Sequence, residues 1–173
     1  MADGVRGNQY LAFNSEIQKG IVLHRAIDTF TDAHPIFRKC TKRLHSEYHH
    51  YSGVIVDVFF DHFLAKNWET YTEEPLENFV DNFYSSLTTY ENHLTEKAKM
   101  MKPYMIEQNW LLNYRYIDGI EKILTQMDRR TKNVSMMRNS VTELKLYYAE
   151  FELHFTHFFE ELRAFSLKKL LTL

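Results

Sequence analysis

Cysteine is almost missing from this 173-residue chain: there is one, Cys40. A single cysteine excludes an internal disulfide and any zinc site built on thiolates. Glycine and proline are scarce as well, with Gly 5 and Pro 3, too few turn formers for a set of short strands. There is no excess of positive charge. Lys+Arg 21 against Asp+Glu 23 gives a formal net charge of −2, so the chain as a whole has no electrostatic drive toward nucleic acid. No apolar run reaches the roughly 18 residues of a membrane span, and no hydrophobic signal region opens the sequence. These absences predict a soluble, cytoplasmic protein with neither nucleic acid nor membrane as partner. The length fits one domain over residues 1–173, able to bury about 70% of its unfolded surface.

What is present reads as helix. Asn14-Ser15-Glu16 offers a cap, and Ile17, Ile21, Leu23, Ile27 and Phe30 follow at near-helical spacing. That helix should stop at His34-Pro35, because the residue before a proline is pushed out of the helical region. A shorter helix is expected over 36–45. The run from Val54 to Trp68 starts with β-branched residues, yet its length and lack of partner strands favour a buried helix. Pro75 stands where a first-turn proline belongs, ahead of Leu76, Phe79, Val80, Phe83 and Leu87, a helix to about His93. Pro103 punctuates the next stretch; 110–127 and 134–170 each read as one further helix. The expectation is an all-α, single-domain bundle. Aromatic residues make up 15%, and bulky rings filling wedges between crossing helices account for them.

Two clusters carry chemistry. His24, Asp28 and Asp32 lie at i, i+4 and i+8, which stacks them along one side of a helix. Asp57 and Asp61 are again four apart, with His62 adjacent. Both clusters interrupt apolar helices, where an unpaired carboxylate or imidazole costs several kcal/mol, roughly, unless it is paired or metal-bound. Two helices offering His plus Asp would make a mixed N/O site suited to Mn, Fe, Ni or Zn. Such a metal would polarise a phosphoryl oxygen and activate water, with Arg25 placed to hold a phosphate oxygen. The plainer alternative is an ordinary His24–Asp28 pair, with Asp61 matched by an arginine such as Arg115. His49-His50, His154 and His157 read as solvated or flanking residues.

Several ordered runs resemble the bacterial acyl carrier protein phosphodiesterase family. They are Gly20 to Pro35, containing His24-Arg25-Ala26-Ile27-Asp28-Thr29-Phe30-Thr31-Asp32; Val56 to Trp68, containing Asp57-Val58-Phe59-Phe60-Asp61-His62; Trp110-Leu111-Leu112-Asn113-Tyr114-Arg115; and the aromatic stretch from Phe155 to Leu162. The likeness spans nearly the whole chain, and the ordered combination is far more specific than any single run. It implies a helical fold related to the HD-domain metal phosphohydrolases. The implied reaction is hydrolysis of the phosphodiester joining 4′-phosphopantetheine to a serine of holo acyl carrier protein, with manganese as the metal. By motif match, His24, Asp28, Asp61 and His62 take metal roles. Asp3, in Asp3-Gly4-Val5-Arg6-Gly7, becomes a metal or catalytic carboxylate. The carrier protein of this resemblance is acidic, which makes Arg38 to Arg43 and Arg129 to Lys132 candidate docking runs. The resemblance also leaves room for a nucleotide or another small phosphodiester as substrate, or for a helical binding protein without activity.

The sequence departs from the family pattern in two places. Gly4 stands where an aromatic is usual, which loosens packing beside Asp3. Family members usually begin some twenty residues earlier, with an Asn-Phe-Leu-Ala-His type segment, so the chain is expected to start late.

Overall fold

The computed structural model describes residues 4–173, and Asp3 lies outside the described residues. Helices account for the regular structure among those residues: α1 Ser15–Ala33, α2 Pro35–Tyr48, α3 Ser52–Lys66, α4 Leu76–Thr89, α5 Glu96–Glu107, α6 Trp110–Asn113, α7 Ile117–Arg130, α8 Val141–Leu146 and α9 Tyr148–Leu170. A short 3₁₀ segment, Gly7–Ala12, precedes α1. The all-α expectation holds. Among the described residues, no helix is long and apolar enough to cross a membrane.

Local chemistry sets the first boundaries where the sequence placed them. The Asn14 side chain caps α1 by accepting from the Ile17 amide at 3.0 Å. His34 ends α1 in extended geometry and caps α2, with Pro35 in its first turn. The ambiguous run after Gly53 is helix α3, buried on most of its circumference by Ile55, Val56, Val58, Phe59, Phe60 and Phe63. A strand of that composition would need paired neighbours for its backbone, and a helix satisfies its own.

Three expectations need correction. Pro103 does not break the chain but lies inside α5; it and its neighbour Tyr104 are exposed, where water can serve the backbone group that proline leaves unpaired. The predicted helix 110–127 is two helices, α6 and α7, meeting at a corner. Gly119 makes that corner: a Cβ there would overlap the Asn113 carbonyl, so only glycine admits this close approach. The long C-terminal helix begins later than predicted, at Tyr148, after a 3₁₀ turn Met137–Ser140 and α8.

The core is one aromatic-rich cluster contributed by α2, α3, α7 and α9. Phe59 meets Phe151 edge-on at 5.2 Å, Phe60 tilts against Phe158 at 5.1 Å, and Phe60 also meets Phe155 edge-on at 5.6 Å. These rings lock α3 against α9. A smaller cluster of Ala65, Leu76, Val80 and Tyr84 seats α4 beside the end of α3, and Tyr114 packs against both clusters.

Candidate functional site

The burial of α3 explains why its carboxylates sit where they do. Val54, Asp57 and Asp61 are exposed positions on an otherwise buried helix, spaced three and four apart as one stripe. That stripe forms one wall of a cleft. The other wall is α1, whose Asp28 and Asp32 are exposed and close enough to act on Asp57. Burial raises the Asp57 carboxyl to about 6, and the negative charges of Asp32 and then Asp28 add to the rise. Burial likewise pushes Asp61 up to about 7, with Asp57 contributing. Both groups keep accessible surface while protein crowds the space around them.

On α1, His24 Nδ1 and Asp28 Oδ2 stand 2.8 Å apart, the ordinary i, i+4 pair of the plainer reading. That pair lies on the helix that carries Asp28 and Asp32 to the cleft. Arg25 has another task. Its guanidinium donates to the Val5 carbonyl at 2.8 Å and the Gly7 carbonyl at 3.0 Å, and it covers the Tyr10 ring at 5.1 Å. The arginine expected on a phosphate oxygen is thus occupied in fastening the N-terminal segment to α1. Arg25→Ala should release that segment. Losing two hydrogen bonds from a cation, roughly 1.5–3 kcal/mol each, should raise limited proteolysis within residues 4–12 at least about tenfold, read by mass spectrometry. Unchanged cleavage would mean that other contacts hold the segment.

His62 is also not where the sequence placed it. The side chain is 1% exposed and both ring nitrogens are taken: Nδ1 by the Tyr114 carbonyl at 2.8 Å and Nε2 by the Tyr148 hydroxyl at 2.8 Å. A carbonyl can only accept, so Nδ1 carries the proton and Nε2 accepts from Tyr148. Burial lowers the His62 pKa, against the opposing pull of the Tyr114 carbonyl. The imidazole has no nitrogen left for a metal. It pins the 114 backbone to α3 and so fixes where the Tyr114 ring lies.

Tyr114 is a site residue that the sequence reading did not single out. Burial raises its phenol pKa, with Asp61 and Asp57 adding to the rise, so the hydroxyl stands near both carboxylates and stays protonated. Its only sequence signal was its place in the third family-like run. The ring also lines a pocket of about 250 Å³ with Met101, Met105, Trp110, Leu111, Met127 and Arg130, and none of the four carboxylates lines it. Arg115 does not meet Asp61; it pairs with Glu77 at 2.7 Å.

Among the described residues, no three His, Cys, Asp or Glu side chains converge closely enough to enclose a metal ion. The chemistry of the donors still fits a hard or borderline divalent cation. Carboxylates whose charges oppose one another, one of them paired with an imidazole, are what such a cation neutralises. His24, Asp28, Asp57 and Asp61 meet that description, and His62 does not.

The fold and cleft define an all-helical protein with a carboxylate-lined site between its first and third helices. The family described as acyl carrier protein phosphodiesterase matches residues 1–162, and the chain belongs to this family of phosphodiester hydrolases. Relatives named acyl carrier protein phosphodiesterase include one from Photorhabdus laumondii, 29% identical over 163 residues, covering 92% of this chain and 81% of the relative. Another, from Salmonella agona, is 29% identical over 172 residues, covering 99% of this chain and 89% of the relative. No solved structure matches the chain.

Proposed function

We propose that this chain hydrolyses the phosphodiester linking 4′-phosphopantetheine to a serine of holo acyl carrier protein, with a divalent metal, manganese, as cofactor. The observation that carries the reading is the crowding of Asp57 against Asp32 and Asp28, with Asp61 beside Asp57, in a chain of this family. His24, Asp28, Asp57 and Asp61 would hold the metal, which when bound supplies Lewis-acid activation of a phosphoryl oxygen and of water. Water adds to phosphorus, the carrier serine leaves with a proton, and the products are apo carrier protein and phosphopantetheine. The protonated Tyr114 hydroxyl is a hydrogen-bond donor at the cleft floor, suited to a phosphate oxygen as charge develops there. Arg25 acts at one remove, by keeping the segment that follows Asp3 against α1.

The test is intact mass spectrometry of holo carrier protein incubated with the chain and manganese. Loss of the phosphopantetheine mass, suppressed by a chelator, is the expected result. An unchanged carrier mass, with hydrolysis of a smaller phosphodiester instead, would overturn the choice of substrate.

A further inference from the structure

The chain has two exposed basic runs, and the structure treats them differently. In α2 three of the four cations, all but Lys42, make internal contacts. Arg43 is ion-paired with Glu150 and lies over the Tyr147 ring at 4.3 Å. Arg38 Nε donates to the Asp32 carbonyl at 2.9 Å, and Lys39 Nζ reaches His154 at 3.1 Å. These contacts hold α2 to α1 and α9, tie down three of its side chains and neutralise one of them, Arg43.

The end of α7 and the turn beyond it are the opposite case. Arg129, Arg130 and Lys132 are exposed, and none has an ion pair among the described residues. Beside them Val134 is 72% and Met136 41% exposed, so an apolar spot lies within a basic surround. The turn is braced. Asp128, fully buried, accepts from the Ser135 hydroxyl at 2.7 Å and faces Arg138 Nε at 3.2 Å. Thr131 adds a bond to Ser135 at 2.8 Å. That network holds Lys132, Asn133 and Met136 at positive φ, a conformation non-glycine residues rarely keep without support. Arg130 also lines the pocket that Tyr114 borders, so one pocket connects this surface with the ring that stands near Asp61 and Asp57.

We infer that the C-terminal end of α7 and the turn 131–136 form the docking surface for an acidic protein, the carrier whose prosthetic arm enters the cleft. This rests on the proposed function. Unpaired arginines and a lysine around exposed aliphatic side chains match an acidic surface with an apolar centre, and the bordering pocket joins this surface to Tyr114, the ring beside the carboxylates.

The experiment uses the full chain with Arg129→Glu and Lys132→Glu combined, and Lys42→Glu as the control on α2. At low salt, the double variant should raise KM for holo carrier protein about tenfold or more while kcat stays within about twofold, and affinity for apo carrier protein, read by fluorescence anisotropy, should fall in step. Added salt should raise the wild-type KM more steeply than that of the double variant. Lys42→Glu should move neither. Equal KM and equal apo-carrier affinity in wild type and double variant would overturn the surface. Failure of the wild type to release phosphopantetheine would sink the reaction instead, and the anisotropy titration would still decide the surface.

Discussion

Asp61→Asn should remove at least about 99% of hydrolytic activity, on the scale of losing one charge-stabilising group from an active site, yet leave the fold at least as stable. The two effects share one cause. Asp61 is carried on the exposed stripe of a buried helix, where protein crowds its carboxyl and Asp57 repels its charge. Its pKa of about 7 in the folded chain stands against an ordinary 3.8, so the folded state holds the proton more tightly than the unfolded one. Stability from this group is therefore present below about pH 4 and lost as pH rises toward 7. Asparagine keeps the shape and has no charge to lose. In chelator-treated protein, the Tm difference between variant and wild type should be near zero at pH 4 and favour the variant at pH 8. A variant that retains more than a tenth of wild-type turnover would remove Asp61 from the reaction.

His62→Ala should act in the opposite sense, costing roughly 3–5 kcal/mol of stability. It leaves the Tyr114 carbonyl and the Tyr148 hydroxyl without partners, about 1–3 kcal/mol for each such group, and opens a cavity in the core. His62→Asn, which can restore a donor toward the carbonyl but not the contact to Tyr148, should fall between. The pH dependence has a definite sign. Because burial depresses the folded pKa, the contribution of His62 is present above its unfolded value of 6.5 and is lost as pH falls below it. Urea unfolding at pH 8 and pH 5 reads both effects. An alanine variant that unfolds like wild type but has lost its activity would return His62 to the ligand role that its sequence neighbours gave it.

That reversal shows which parts of the protein were legible beforehand. Helix α1 could be read to the residue, since a capping asparagine and a histidine before proline are local signals. The i, i+4 spacings placed Asp28 with Asp32 and Asp57 with Asp61, because a helix converts spacing directly into a face. Adjacency misled: His62 is next to Asp61 in sequence but a further 100° around the helix, which turns it into the core. Arg25 was read as a phosphate ligand because nothing local says that two carbonyls 20 and 18 residues upstream will claim it. Tyr114 escaped notice because its place depends on three partners, His62, α6 and α7, that only tertiary structure brings together. The division of the last helical run at Tyr147 and the survival of Pro103 inside α5 are likewise settled by packing and exposure, not by propensity.

The corner at Gly119 gives the site a dependence that no inventory of reacting groups would reveal. Any side chain there must displace the Asn113 carbonyl, and the next residue along is the tyrosine whose own carbonyl His62 holds. In a saturation scan Gly119 would therefore be as intolerant as the carboxylates, down to alanine, although it meets neither substrate nor cofactor. Selection at this position acts on an empty volume, and the aim of the phenol ring is inherited from it.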